Sequence, residues 1–367
     1  MNTKKKILIE ILLIFTIFFC QFRVSATSTG DLWNKYWNRR YEIVINNSTL
    51  LLETEPENPE YNVIMGRALL DTFQFEKALP YLERANRLAE DKGRFRAMAL
   101  FYLARYHYYR ANYKQSEKFL KECVELDYDK TSLLLRFSPK DFIDIYGYDT
   151  TFEGYSVEES EHFIYFFKNN KKDKEIQQVI KETEASFRRI NYYFKGELPM
   201  KLRYYVYDSM SNIKIHGRGD YTSNFAIAEN CIIHSIPSTA AHEITHIISY
   251  YANDNYFDRG LFISEGVASY FGFDIDSERR LRVARHYIKE KGIEDISVKK
   301  IWLNFLDYPD EVSYWVAAAF VDFLIKEDEE KFRKLIKRQK YRNAKVIYGD
   351  QLDILIEEFE RELLEEG

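Results

Sequence analysis

Two imidazoles stand one helical turn apart in the run His242-Glu243-Ile244-Thr245-His246. Residues at i and i+4 on an α-helix lie on one face, about 40° apart around the axis. That is close enough for both rings to share one tetrahedral metal ion. The spacing therefore predicts a helix through Ser238-Thr239-Ala240-Ala241 and onward, with Ser238 or Thr239 placed to cap it. Glu243 lies beside the histidines, within reach of a water on such a metal. The plain alternative is an ordinary helix carrying these polar residues on its surface or in its core.

A catalytic zinc takes three protein ligands and keeps one position open for water. Nineteen positions after His246 comes Glu265, inside Phe262-Ile263-Ser264-Glu265-Gly266-Val267-Ala268-Ser269-Tyr270-Phe271. H-E-x-x-H, eighteen intervening residues, then E-G-x-A resembles the gluzincin zinc metallopeptidases, and within them the spacing of the M1 aminopeptidase family. The resemblance implies a thermolysin-like zincin domain, a small mixed sheet plus a helical C-terminal lobe. It implies one Zn²⁺ ion held by His242, His246 and Glu265, and peptide-bond hydrolysis by a metal-activated water with Glu243 as general base and then general acid.

The segment Val312 to Val321, containing Ser313-Tyr314-Trp315, resembles the helix that carries that family's transition-state tyrosine. This implies that Tyr314 donates a hydrogen bond to the oxyanion. In a chain with 29 Tyr the plain reading is a phenol packed on a helix face, and Tyr308 is the nearest rival. The family's edge strand precedes the metal helix, where Asn224–Ser235 reads as a strand able to pair with an extended peptide. Within it Ala226-Ile227-Ala228-Glu229-Asn230 resembles the motif that binds a substrate's free amino terminus, which would make Glu229 a substrate-binding residue. The leading Gly is missing, and Glu229 stands only thirteen positions before His242, closer than the family keeps it. An exposed or strand-end carboxylate is the plainer reading. Two further departures are Ser269, where thermolysin-like members carry an acidic residue, and Ser264, where Asn precedes the ligand Glu. With Ser269 in that place, the group that orients a ligand histidine is expected to be another residue.

Residues 33–135 read as a helical array. Gly66, Leu69, Phe75, Ala78, Leu82 and Ala85 fall at the offsets of a tetratricopeptide repeat, and Ala104, His107, Tyr113, Ser116, Leu120 and Cys123 repeat them 38 residues later. A short insertion at Glu90–Arg96 accounts for the lengthened period, and Tyr41–Glu53 reads as the last helix of an earlier unit. The region resembles two and a half such repeats, which implies either a protein-binding surface or a spacer that only packs on its neighbour. Downstream, Ser160–Phe167 and Leu202–Asp208 read as strands and Asp173–Phe194 as a helix. After Glu265 the pattern is helical, through Val312–Ile325 and Leu352–Leu364. Strands followed by helices give an α+β class for residues 150–367.

The amino end reads as a targeting segment. Lys4, Lys5 and Lys6 precede the apolar run Ile11–Cys20, which leads to Val24-Ser25-Ala26. Ten apolar residues fall short of the roughly 20 that span a bilayer, so residues 1–26 are expected to be a signal peptide. The alternative is an uncleaved anchor. Either way the chain works outside the cytoplasm, secreted or held at the membrane. Net charge is −5, without the basic surface a general nucleic-acid binder needs. Three Cys exclude a disulfide-dense scaffold; Cys123 and Cys231 are expected to be buried thiols in different domains. Arg218-Gly219-Asp220 is a chance turn sequence, His216 and His234 read as partly buried or solvent-facing residues, and Glu357–Glu366 as a solvated helix face.

These readings converge on an exported zinc metallopeptidase with peptide or protein substrates and a possible partner on the array. Two alternatives belong to other classes: a repeat-based interaction protein whose metallopeptidase-like domain is idle, and a zinc hydrolase acting on a non-peptide amide.

Overall fold

A computed structural model describes residues 29–365 apart from 39, 92, 134, 136, 137, 149–153, 169, 170, 211, 212, 214–223 and 253–258. The expected signal peptide, His216 and Arg218-Gly219-Asp220 lie outside the described residues. The described chain is mostly helical with one small mixed sheet, an α+β protein. It divides into two compact units, Met1–Asp149 and Thr150–Gly367.

The first unit is helical throughout its described residues: α1 (Thr29–Trp37), α2 (Tyr41–Thr54), α3 (Pro59–Asp71), α4 (Phe75–Leu88), α5 (Arg94–Tyr109), α6 (Tyr113–Glu125) and α7 (Pro139–Ile145). Each packs on its neighbour in sequence from α1 to α7. Local chemistry sets several starts. Asn58 accepts from the amides of Glu60 and Tyr61, with Pro59 at the first helical position of α3, and a capping box of Ser138 and Asp141 opens α7. At Gly66 a Cβ would lie 2.6 Å from Leu82 Cδ2, so α3 and α4 approach closely there and a larger residue would require the leucine to move. The corresponding place in the next pair is knit by Ser116, whose hydroxyl donates to the carbonyl of Ala104 at 2.7 Å. Cys123 and Cys231 are both buried.

The second unit opens with β1 (Tyr155–Glu159), β2 (Phe163–Lys168), α8 (Asp173–Phe194), β3 (Leu202–Val206), β4 (Phe225–Ile227) and β5 (Ile232–Ser235). The strand order is β1-β2-β3-β5-β4. β2, β3 and β5 run parallel, and antiparallel β1 and β4 close the two edges. The stretch 224–235 is therefore not one strand but a tight hairpin. A 3₁₀ turn at Ala228–Asn230 and Cys231 at φ 54° reverse the chain, and the edge strand has only three residues. One sheet face, carrying Phe163, Tyr165, Phe167 and Tyr204, joins the core with α8. Across the other, Phe166, Tyr205, His234 and Phe225 stack at centroid spacings of 4.4, 4.4 and 4.6 Å. His234 is thus neither partly buried nor solvent-facing. It is 1% exposed within the stack, and its Nδ1 lies 3.0 Å from the Tyr207 hydroxyl.

The remainder is helical: α9 (Ala240–Ala252), α10 (Leu261–Gly272), α11 (Ser277–Glu290), α12 (Val298–Leu303), α13 (Asp310–Lys337), α14 (Tyr341–Tyr348) and α15 (Gln351–Leu364). α10 packs closely along α13. At Gly266 a Cβ would meet the Ala317 carbonyl oxygen at 2.8 Å, so the glycine beside Glu265 sets how near the two helices come. Among the described residues no helix is long and apolar enough to cross a membrane.

Candidate metal centre

The motif helix is held by its apolar side. Ile244, Ile247 and Ile248 of α9 are fully buried in the core, each contributing about 1.5–3 kcal/mol. That anchoring presents His242 and His246 on the other side, toward α10. Glu265 comes from the second turn of α10, which packs on α9.

The three side chains meet at one point. Glu265 Oε2 lies 3.3 Å from His242 Nε2 and 3.1 Å from His246 Nε2, and the two nitrogens are 3.2 Å apart. A tetrahedral ion with bonds of about 2.0–2.1 Å sets its ligand atoms roughly 3.3–3.4 Å from one another. The triangle matches one face of that tetrahedron. Hydrogen bonding alone fits it poorly: if both imidazoles donate to Oε2, two N–H groups confront each other. The side chains keep 13, 11 and 10% exposure, so the point is enclosed yet reachable by solvent.

Electrostatics agree with this donor set. Burial alone would raise the Glu265 carboxyl, but the neighbouring imidazoles outweigh it and hold it well below the usual carboxylate range. Burial pushes His246 down to about 4, leaving it neutral, the form that ligates metal. For His242 burial lowers the pKa, and the hydrogen bond to Glu265 with the nearby carboxylates brings it above its ordinary value. Glu243 is pushed up to about 7, by burial first; His242 pulls it back and the Glu265 charge raises it further.

The surrounding contacts differ from the expectation. Ser269 Oγ lies 3.4 Å from His242 Nδ1, so the residue in the acidic position still reaches the ligand histidine, as a hydroxyl in place of a carboxylate. No substitute from elsewhere is needed. Arg259, which the motif reading passed over, donates from Nε to Ser264 Oγ at 2.9 Å and sets Nη2 3.5 Å from Glu265 Oε1. The same Nη2 lies 3.5 Å from His246 Nδ1. A guanidinium only donates, so a proton on Nδ1 favours the Glu265 contact over this one. The only sequence signal for Arg259 is a lone cation ahead of the apolar approach to Glu265.

Tyr314 lies on α13 with its ring 6.0 Å from that of His242 and tilted by 29°. Tyr308, half-buried, sits in the turn before that helix. Glu229 is on the 3₁₀ turn of the β4–β5 hairpin, half-buried, on an element that packs against α9.

Among the described residues a second group has a metal-like composition, Glu161, His162 and Glu184. Here protein donors fill the carboxylate. Glu184 accepts from Ser160 Oγ at 2.6 Å and from the His162 amide and Nδ1 at 2.9 and 2.8 Å, while Arg188 bridges to Glu161 at 2.9 Å. Both Glu184 oxygens are thereby engaged by protein donors, and the group closes on itself. Compared with known proteins, the chain matches no family profile and no curated protein.

Proposed function

We propose that the chain is an exported zinc-dependent metallopeptidase of the gluzincin type, with a tetratricopeptide-like N-terminal unit. The observation that carries this reading is the convergence of two imidazole nitrogens and one carboxylate oxygen at tetrahedral spacing. His242, His246 and Glu265 hold the ion; when bound, zinc supplies the Lewis acidity that acidifies a water and polarises the substrate carbonyl.

The remaining steps belong to the chain's own groups. Ser269 accepts from Nδ1 of His242 and aims Nε2 at the shared point. The Glu243 carboxylate takes a proton from the attacking water and delivers it to the leaving amine nitrogen. The Tyr314 phenol donates to the carbonyl oxygen as negative charge builds there. Peptide or protein is the substrate. The export rests on the charged, apolar and small-residue pattern of residues 1–26. The close Gly66–Leu82 approach and the Ser116–Ala104 bond support the repeat reading, with a protein partner as its proposed occupant.

The test is metal analysis of the purified chain together with cleavage of a fluorogenic peptide mixture by wild type and Glu243→Gln. One zinc per chain in both proteins, with turnover falling 10²- to 10⁴-fold in the variant, is expected. Zinc with no wild-type turnover would favour the interaction-protein alternative, and absence of zinc the idle domain.

A further inference from the structure

Arg259 stands just ahead of α10, and the chain there is fixed. The Gly260 amide donates to the side-chain oxygen of buried Gln339 at 3.2 Å, and a Cβ on Gly260 would meet the Gln339 carbonyl oxygen at 2.6 Å. The Gly260 carbonyl accepts from the Ser264 amide at 2.9 Å, which joins this point to the first turn of α10. From it the Arg259 side chain reaches two successive residues of the helix. Nε donates to Ser264 Oγ at 2.9 Å, and Nη2 lies 3.5 Å from Glu265 Oε1. A guanidinium is a planar, rigid fork, so one anchored N–H restricts where the others point.

The two oxygens of Glu265 thereby meet different partners. Oε2 lies at the point shared with His242 Nε2 and His246 Nε2, at 3.3 and 3.1 Å. Oε1 is paired with the guanidinium. A carboxylate can give an ion one oxygen or both. Giving both adds a ligand atom, which would compete for the position a catalytic zinc keeps for water. We infer that Arg259 is a positioning residue: by holding Oε1 it limits Glu265 to one ligand oxygen and suits the site to a four-coordinate ion. Ser264 steers the guanidinium into that place. The inference rests on the metal-centre reading and adds a selectivity to it, for zinc over ions that favour more oxygen ligands, such as manganese.

The test uses the full chain, stripped of metal and titrated with Zn²⁺ and Mn²⁺, in wild type, Arg259→Gln and Ser264→Ala. Removing a positive charge beside the carboxylate changes the affinity for every divalent ion, so the ratio of the two affinities, rather than either alone, reports how the carboxylate is held. Arg259→Gln is expected to shift that ratio toward manganese about tenfold, the scale on which groups behind a ligand tune a metal site. Ser264→Ala keeps the charge, loses the steering contact, and should move the ratio in the same direction by less. Cobalt in place of zinc gives a second readout. Its visible bands, intense for a four-coordinate ion in wild type, should weaken in Arg259→Gln as the coordination number rises.

A ratio and a cobalt spectrum that stay at wild-type values in Arg259→Gln would overturn the assignment. So would an equal change in both affinities with the cobalt bands unmoved, the result of a merely structural contact. Should Arg259→Gln fail to fold, Ser264→Ala decides by the same two readouts, and wild-type values there overturn the assignment. Failure of the underlying reading looks different: wild type that takes up no zinc removes the metal centre itself, and this role with it. A zinc site indifferent to Arg259 leaves the proposed function standing and removes only the positioning role.

Discussion

In the first unit Asp71 lies against Arg105 at 2.7 Å and accepts a hydrogen bond from the Tyr36 hydroxyl. Arg105 also donates from Nε and Nη2 to Tyr109 at 3.0 and 2.8 Å. The Arg67 guanidinium stands over the rings of Tyr36, Tyr102 and Trp37 at 4.2, 4.8 and 5.0 Å. In the second unit His242, His246 and Glu265 are as deeply placed, yet their ligand atoms turn toward one shared point. Both regions bury charge. In the first, the Asp71 carboxylate is filled by Arg105 and Tyr36, so opposite charges and phenols answer one another within the protein. In the second, lone pairs of three side chains converge on one point, an arrangement that a cation would complete. Direction of the lone pairs, not burial, separates a structural cluster from a candidate site.

The largest expected effect comes from breaking the Asp71–Arg105 cluster. Asp71→Ala leaves the Arg105 charge buried without its carboxylate, a loss of about 3–5 kcal/mol. Hydrogen exchange should speed up across α3 and α5 and leave α9 and α10 unchanged. Glu265→Ala in metal-free protein should cost much less, since Arg259 retains 31% exposure and can be rehydrated. Equal losses from the two substitutions would erase the distinction.

Next in size is the response to zinc. At a thousandfold excess over Kd, a ligand that binds only the folded form stabilises it by about 4 kcal/mol. The protection should fall on α9 and α10, be absent from the first unit, and vanish in Glu265→Ala. Glu184→Gln should leave the stoichiometry at one zinc, because Glu184 already accepts three protein hydrogen bonds. Two zinc ions per chain, one lost in Glu184→Gln, would contradict that reading of the second group.

A smaller change tests how the ligands are aimed. Ser269→Ala removes the hydroxyl 3.4 Å from His242 Nδ1 and should weaken zinc binding about tenfold, about 1.4 kcal/mol, in a competition with a coloured chelator. Unchanged affinity would mean that the hydroxyl does not orient the ring.

What could be read from the sequence is what depends on neighbours along it. The apolar period of Asp173–Phe194 marks α8, whose buried face is Ile176, Val179, Thr183, Phe187 and Ile190, and His242 and His246 are paired by the helix itself. What could not be read depends on distant partners. β1 is the charged run Tyr-Ser-Val-Glu-Glu, without clean apolar alternation, and exists through its pairing with β2. The place of His234 is set by parallel β3 and antiparallel β4, which supply Tyr205 and Phe225 on either side of its ring. Ser269 meets His242 only because α10 lies against α9, 27 residues apart in sequence. Arg259 enters by the same packing.

The smallest effect sharpens the comparison inside the second unit itself. Burial tends to raise the Glu184 carboxyl, but hydrogen bonds from Ser160 and from the His162 side chain and amide outweigh it, and the net pKa is lowered. A carboxylate lowered on folding stabilises the protein above its unfolded pKa, near 4.5, and loses that contribution as pH falls through the folded value. Wild type should therefore lose stability below about pH 4.5 through this group, read by urea midpoints from pH 6 to pH 3. Glu184→Gln keeps the acceptor oxygen but not the charge. It should cost about 1 kcal/mol at pH 6 and converge on wild type at pH 3. Zinc-binding stoichiometry should stay the same across the variant. A pH-independent gap between the two proteins would show that packing, not the charged hydrogen bonds, holds His162 in place.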